Sequence, residues 1–240
     1  MGNETYKRGQ VEWALWRAFT LARGQSDGPP PIFKTRIKRL LDLDREAGPD
    51  QVGADVPASH AFVAPAGGGS GVETPFAALD VFCLGLALDL LDVGFKQSEI
   101  VLVMRHLRAD LDAWFPRLIA RPSLLDRQNR LAKSHPDLPV IERPGRAPLV
   151  DARVFLVLNR IEMTEVLSAP GIAAREGQPV FLVPEFCAGL CGLQDRLGVL
   201  MPLHRRTVIV VEIAALAQAV TALLGKAPLV PRGRPRSRQT

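Results

Sequence analysis

The chain has 240 residues, 47% of them hydrophobic and 23% charged, with 30 Lys and Arg against 25 Asp and Glu. This is the composition of an ordinary soluble protein with a buried core, in one large or two small domains. Three cysteines and a start without an apolar run, "MGNETYKRGQ", argue against a secreted, disulfide-built chain and for a reduced cytoplasmic one. The net charge of +5 lies in the last segment: Lys226, Arg232, Arg234, Arg236 and Arg238 meet no acidic residue from 226 to 240.

The first periodic stretch, "RGQVEWALWRAFTLAR", puts Val11, Leu15, Ala18 and Ala22 on one face, widened by Trp16 and Phe19, and predicts a helix. After the loop "GQSDGPPP", Pro31 suits the first turn of a second helix, "IFKTRIKRLLDLDRE", with Ile37, Leu40 and Leu41 as its buried stripe. Lys34, Arg36, Lys38 and Arg39 gather in its first half, where no acidic residue occurs; Asp42 to Glu46 are mostly acidic. Residues 47–75 are rich in Gly, Pro, Ala and Ser, so a flexible linker is one reading. The other is a β-hairpin wing, with "HAFVA" as a strand and "GGGSG" as the tip.

Thr74 as N-cap and Pro75 as first residue open a third helix, "FAALDVFCLGLALDLLDV", which Gly94 ends. "FKQSEIVLVMRHLRADLDAWF" forms a fourth, with Ile100, Val103, Met104, Leu107 and Leu111 in one stripe. Prolines from Pro116 onward mark 116–150 as an interdomain connection with one short helix at 123–133. Strands are expected over 153–166, 179–183 and 207–213, with helices following the second and third, "EFCAGLCGLQDRLGV" and "AALAQAVTALLG". Thr207 to Gly225 approaches the length of a membrane span, but Glu212 within it and the shift from β-branched to Ala- and Leu-rich residues favour a strand followed by a helix.

The expected fold class is therefore α+β. It comprises a mostly helical domain at 1–115, the connection at 116–150, a small β-β-α-β-α domain at 151–225 that dimerises or senses, and a basic disordered tail at 226–240.

A basic helix, a glycine-tipped segment and then two helices joined through Leu90, Gly94, Phe95, Glu99 and Ile100, with Leu91 beside them, resemble the DNA-binding domain of the MerR family over residues 6–111. The resemblance implies a winged helix-turn-helix fold, with the basic helix in the major groove of double-stranded DNA. Independently, several cations on one helical end favour phosphate contact, since binding releases counterions; a solvated basic face is the plainer reading. Lys34, Thr35, Arg36, Lys38 and Arg39 are the candidate contacts, with Thr35, Arg36 and Lys38 foremost. A second helix-turn-helix candidate is the pair around Gly94, offering Gln97, Ser98, Arg105 and Arg108, although packing behind the reading helix suits this pair better.

The tail sequence "RGRP" resembles the core of an AT-hook, which implies insertion of Arg232 and Arg234 into a narrow A·T-rich minor groove, close approach at Gly233, and a chain held extended by Pro231 and Pro235; Arg236 and Arg238 are further candidate DNA contacts. A tail binding phosphates without sequence preference remains open. "LVPRG" is also most of a thrombin site, but the chain continues with Arg234, where such linkers carry Ser.

Cys187 and Cys191 fall at i, i+4 with Glu185 and His204 nearby, a soft-metal option set against core packing, which is favoured, so no metal or other cofactor is expected. His60, His106 and His135 lack matching partners, Glu162, Glu165, Glu185 and Glu212 are scattered acids, and no catalytic motif occurs. The expectation is a homodimeric DNA-binding transcriptional regulator without enzymatic activity, whose small-molecule effector, if any, stays undefined. The alternative is an adaptor that binds a protein partner.

Overall fold

The computed structural model of the chain describes residues 4–20, 28–47, 59–64, 74–121, 151–158, 160–161, 180–181, 184–200 and 208–229. Helices α1 (Arg8–Thr20) and α2 (Pro31–Glu46) lie where the periodicity places them. Helix α2 buries Phe33, Ile37, Leu40, Leu41 and Asp44, a stripe at helical spacing. Trp16 and Phe19 of α1 meet the Phe33 ring edge-on at 5.3 and 6.4 Å and join the two helices.

Helix α3 runs Ala78–Asp92, later than the expected start at Pro75. Phe76 is held instead in an antiparallel bridge, its amide donating to the Tyr6 carbonyl and its carbonyl accepting from the Tyr6 amide. The first helical turn then forms beyond it, and the Asp80 carboxylate, not Thr74, takes up the Ala77 amide at 2.8 Å. Gly94 at φ +94° turns the chain out of α3 with the two bonds of a Schellman cap, Gly94 N–H to the Leu91 carbonyl and Phe95 N–H to that of Leu90. Phe95 and Leu90 are both buried, and Glu99 then accepts the Lys96 amide as α4 begins. The run from Leu90 to Ile100 is thus a complete recipe for a helix hairpin: stop, hydrophobic clasp, restart.

Helix α4 (Gln97–Ile119) continues past Pro116, where a connection was expected to begin. Proline costs one backbone bond there, on an exposed position in the last turn, while Leu118 just beyond it is fully buried. Burial of that last turn outweighs the lost bond.

The sheet has the order β4-β1-β5, all antiparallel, with β1 (Val154–Leu158) central, β4 (Glu185–Ala188) on one side and β5 (Ile209–Glu212) on the other. A short pair joins β2 (Arg160–Ile161) to β3 (Val180–Phe181). The mixed α+β class is as expected. One strand is additional: Glu185–Ala188 pairs with β1, and helix α5 (Gly189–Leu200) starts only after it. Residues 162–166 and 123–133 lie outside the described residues. Strand β5 and helix α6 (Ala214–Leu224) divide the apolar stretch at Glu212, whose carboxylate accepts the Ala214 and Ala215 amides at 2.9 and 3.0 Å and caps α6. Among the described residues no helix is long and apolar enough to cross a membrane.

Most of the β region joins the helical core. Val154, Leu156 and Leu158 on one face of β1, with Ile213, Ala214, Ala217, Val220 and Leu224, belong to the same cluster as α1, α3 and α4. Gly85 of α3 makes the close approach possible: a Cβ there would stand 3.1 Å from Leu15 and 3.3 Å from Leu216. Among the described residues of 151–225, expected to bury a core of their own, Phe155, Val157, Cys187 and Leu193 form a second, small cluster on the other face of the sheet.

Candidate nucleic-acid interface

Helix α2 presents two kinds of surface. Its buried stripe is fixed from behind by a polar cluster inside the fold. Asp44, 6% exposed, accepts the amides of Ala61 and Phe62 at 2.9 to 3.1 Å and pairs at 2.9 Å with Nε of Arg105, itself 1% exposed. The Arg105 guanidinium also donates to the Asp44 carbonyl. One helical turn along α4, Arg108 donates to the carbonyls of Ala61 and Phe62 and pairs with Asp80 of α3. The segment 59–64 is therefore gripped through its amides by a carboxylate and through its carbonyls by a guanidinium, and α2, α3 and α4 are fixed together through it.

Two expectations change as a result. "HAFVA" is bent chain without strand pairing, because Asp44 and Arg108 take the backbone groups that a hairpin would use, and Ala61 and Phe62 are fully buried. The "GGGSG" segment lies outside the described residues. Arg105 and Arg108 are structural ions and are not offered on the outside of a second helix-turn-helix. Their sequence positions gave one usable clue, since Arg105 falls in the apolar stripe between Met104 and Leu107.

The opposite face of α2 is exposed and cationic. Lys34, Thr35, Arg36, Lys38 and Arg39 are all exposed. At roughly 100° per residue, Lys34 and Lys38 stack along one flank, while Ile32, Thr35, Arg36 and Arg39 form a second stripe at i, i+3, i+4 and i+7. The structure brings the five residues together on one surface. Thr35 donates its hydroxyl to the Pro31 carbonyl at 2.9 Å, and Arg36 makes an exposed ion pair with Asp92 at 3.7 Å. Lys34, Lys38 and Arg39 have no carboxylate within 4 Å among the described residues. Ile32 also stands out from this face, at 67% exposure. Its position one residue before Phe33 separated it from the buried stripe.

The first turn of α2 carries no acidic residue, and Pro30 at the N-cap offers no side-chain acceptor. Cations here oppose the positive end of the helix dipole, an arrangement that an anion relieves. The remaining titratable groups do other work. Burial pushes the Cys83 thiol up to about 12, which leaves it protonated and without thiolate chemistry at neutral pH. Burial, then Arg108, lowers the pKa of His60, and burial lowers that of His106.

Cys187 lies buried in β4 while Cys191 is exposed on α5, so the two do not share a helix face. Glu185 pairs with Arg196, and Glu212, across the sheet on β5, caps α6. Among the described residues no group of three His, Cys, Asp or Glu stands ready for a metal. His135, His204, Glu162 and Glu165 lie outside the described residues, as do Arg232, Gly233, Arg234, Arg236 and Arg238 of the tail. The chain itself matches no family model, no curated protein and no solved structure.

Proposed function

We propose that this chain is a duplex-DNA-binding regulator that lays the exposed face of α2 in the major groove, with the basic tail adding phosphate or minor-groove contacts. The observation that carries the reading is the exposed set Lys34, Lys38 and Arg39, without an ion-pair partner among the described residues, on a helix whose opposite face is held by a buried ion-pair cluster. A groove-reading helix needs both properties. Its flanks must meet phosphates, which the two lysines on one side and Arg36 on the other suit, and its axis must be fixed so that the outward stripe meets base edges. The MerR-like hairpin of α3 and α4 supplies that fixing through Arg105.

Fluorescence anisotropy with random and A·T-rich duplexes at two salt concentrations tests the proposal. Comparison is made between the intact chain, a truncation after Ala227 and an Arg36→Ala/Lys38→Ala variant. Both changes weaken binding, and truncation removes any A·T preference if the tail enters the minor groove. Absence of binding to either duplex at low salt overturns the reading and leaves a protein partner as the ligand of this face. Pairing of two copies on a two-fold site belongs to the same proposal, and a monomeric mass at micromolar concentration with and without DNA counts against it.

A further inference from the structure

Ile32 is the apolar member of an otherwise cationic or hydroxylic surface, and nothing in the core uses it. A β-branched side chain at 67% exposure, one residue before the buried Phe33, lies in the stripe that continues through Thr35, Arg36 and Arg39. Apolar side chains placed singly on surfaces are common; this one sits at the tip of the helix assigned to the groove. In recognition helices the N-terminal residues reach the base edges. The major groove displays one apolar feature, the 5-methyl group of thymine, while guanine offers the paired acceptors that suit an arginine fork.

We infer that Ile32 is a specificity-determining residue that packs on the 5-methyl group of a thymine, while Arg39, farther along the same stripe, donates to a guanine edge. The inference rests on the DNA-binding reading of α2 and goes beyond it by naming the bases read. Seven residues of helix rise about 10 Å, and stacked base pairs rise about 3.4 Å, so the two contacts fall within about three base pairs of each other. Lys34 and Lys38, on the flank, hold the phosphate wall. Arg36 is shared with Asp92 and is the less available of the two arginines.

The test removes the methyl group from the DNA and the side chain from the protein separately. A duplex enriched from a random pool by the intact chain is resynthesised with deoxyuridine in place of thymidine, one position at a time, and binding is measured by anisotropy for the intact chain and for Ile32→Ala. One substituted position weakens the intact chain about fourfold, the effect of one buried methyl group. Ile32→Ala loses a similar factor on the thymidine duplex and no longer distinguishes the two DNAs. An Arg39→Ala variant loses discrimination at a guanine within about three base pairs of that thymine.

If the intact chain binds duplex but is indifferent to every deoxyuridine, or if Ile32→Ala still senses the substitution, this inference fails while the DNA-binding reading stands. If no duplex is enriched at low salt, the reading itself fails and the inference with it. Because Ile32 is exposed, an unchanged thermal transition in Ile32→Ala excludes misfolding as the cause.

Discussion

The two ends of α2 handle charge in opposite ways. In the first half of the helix, Lys34, Lys38 and Arg39 are exposed, with no carboxylate within 4 Å among the described residues; farther on, Asp44 is buried, paired with Arg105 and bonded to the amides of Ala61 and Phe62. The same helix thus spends one end on holding its place and leaves the other end electrostatically incomplete. Charge inside a protein survives only when paired and hydrogen-bonded, so the inner cluster reports on the fold. Unpaired charge of one sign on an exposed surface adds little to stability.

Stability measurements by urea denaturation should grade residues along this divide. The largest loss is expected for Asp44→Ala, about 3–5 kcal/mol, because Arg105 is left as a buried charge without its carboxylate. An Asp44→Leu/Arg105→Met pair recovers only part of it, since the Ala61 and Phe62 amides remain unpaired. Wild-type stability in Asp44→Ala would break the comparison outright. Arg108→Ala comes next, at about 2–3 kcal/mol, by stranding Asp80 and the carbonyls of Ala61 and Phe62.

Asp89 sharpens the contrast from the middle ground. Burial, and then the nearby Asp92, raises its pKa to about 6. Because the folded state holds this proton more tightly than the unfolded chain, stability falls as pH rises from about 4, the unfolded value, and the whole penalty is present above about 6. Asp89→Asn therefore stabilises the protein at pH 8, by about 1 kcal/mol given its partial exposure, and makes no difference at pH 4. A gain equal at both pH values would show that the charge is not its cause. The smallest effect belongs to Lys34→Ala/Lys38→Ala, whose stability stays within about 0.5 kcal/mol of wild type; a larger loss would mean that these cations serve the fold after all.

What the sequence disclosed follows the range of the forces involved. The helices of the first half were legible because their stripes and stop signals are local: Gly94 needs a positive φ, and Leu90, Phe95 and Glu99 stand at the spacings that a helix hairpin requires. The cluster around Asp44 was hidden, since Arg105 lies 61 residues away and the apolar run "HAFVA" looks like a strand until its amides are seen to be claimed. Strand β4 escaped for a similar reason. "EFCA" leads into a helical pattern, and only its pairing with β1, about thirty residues earlier, makes it extended. The cations of α2 were readable as a cluster, but Ile32 acquired meaning only from its exposure.

The most direct test of the central claim is the salt dependence of duplex binding, measured from 50 to 200 mM for the intact chain and for Lys34→Ala/Lys38→Ala/Arg39→Ala. The log of affinity should fall steeply with the log of salt for the intact chain, and each lost phosphate contact should flatten the slope by about 0.9 at unchanged stability. A steep slope that the triple variant leaves untouched, or no duplex binding by the intact chain at 50 mM, would contradict a DNA-binding role for α2.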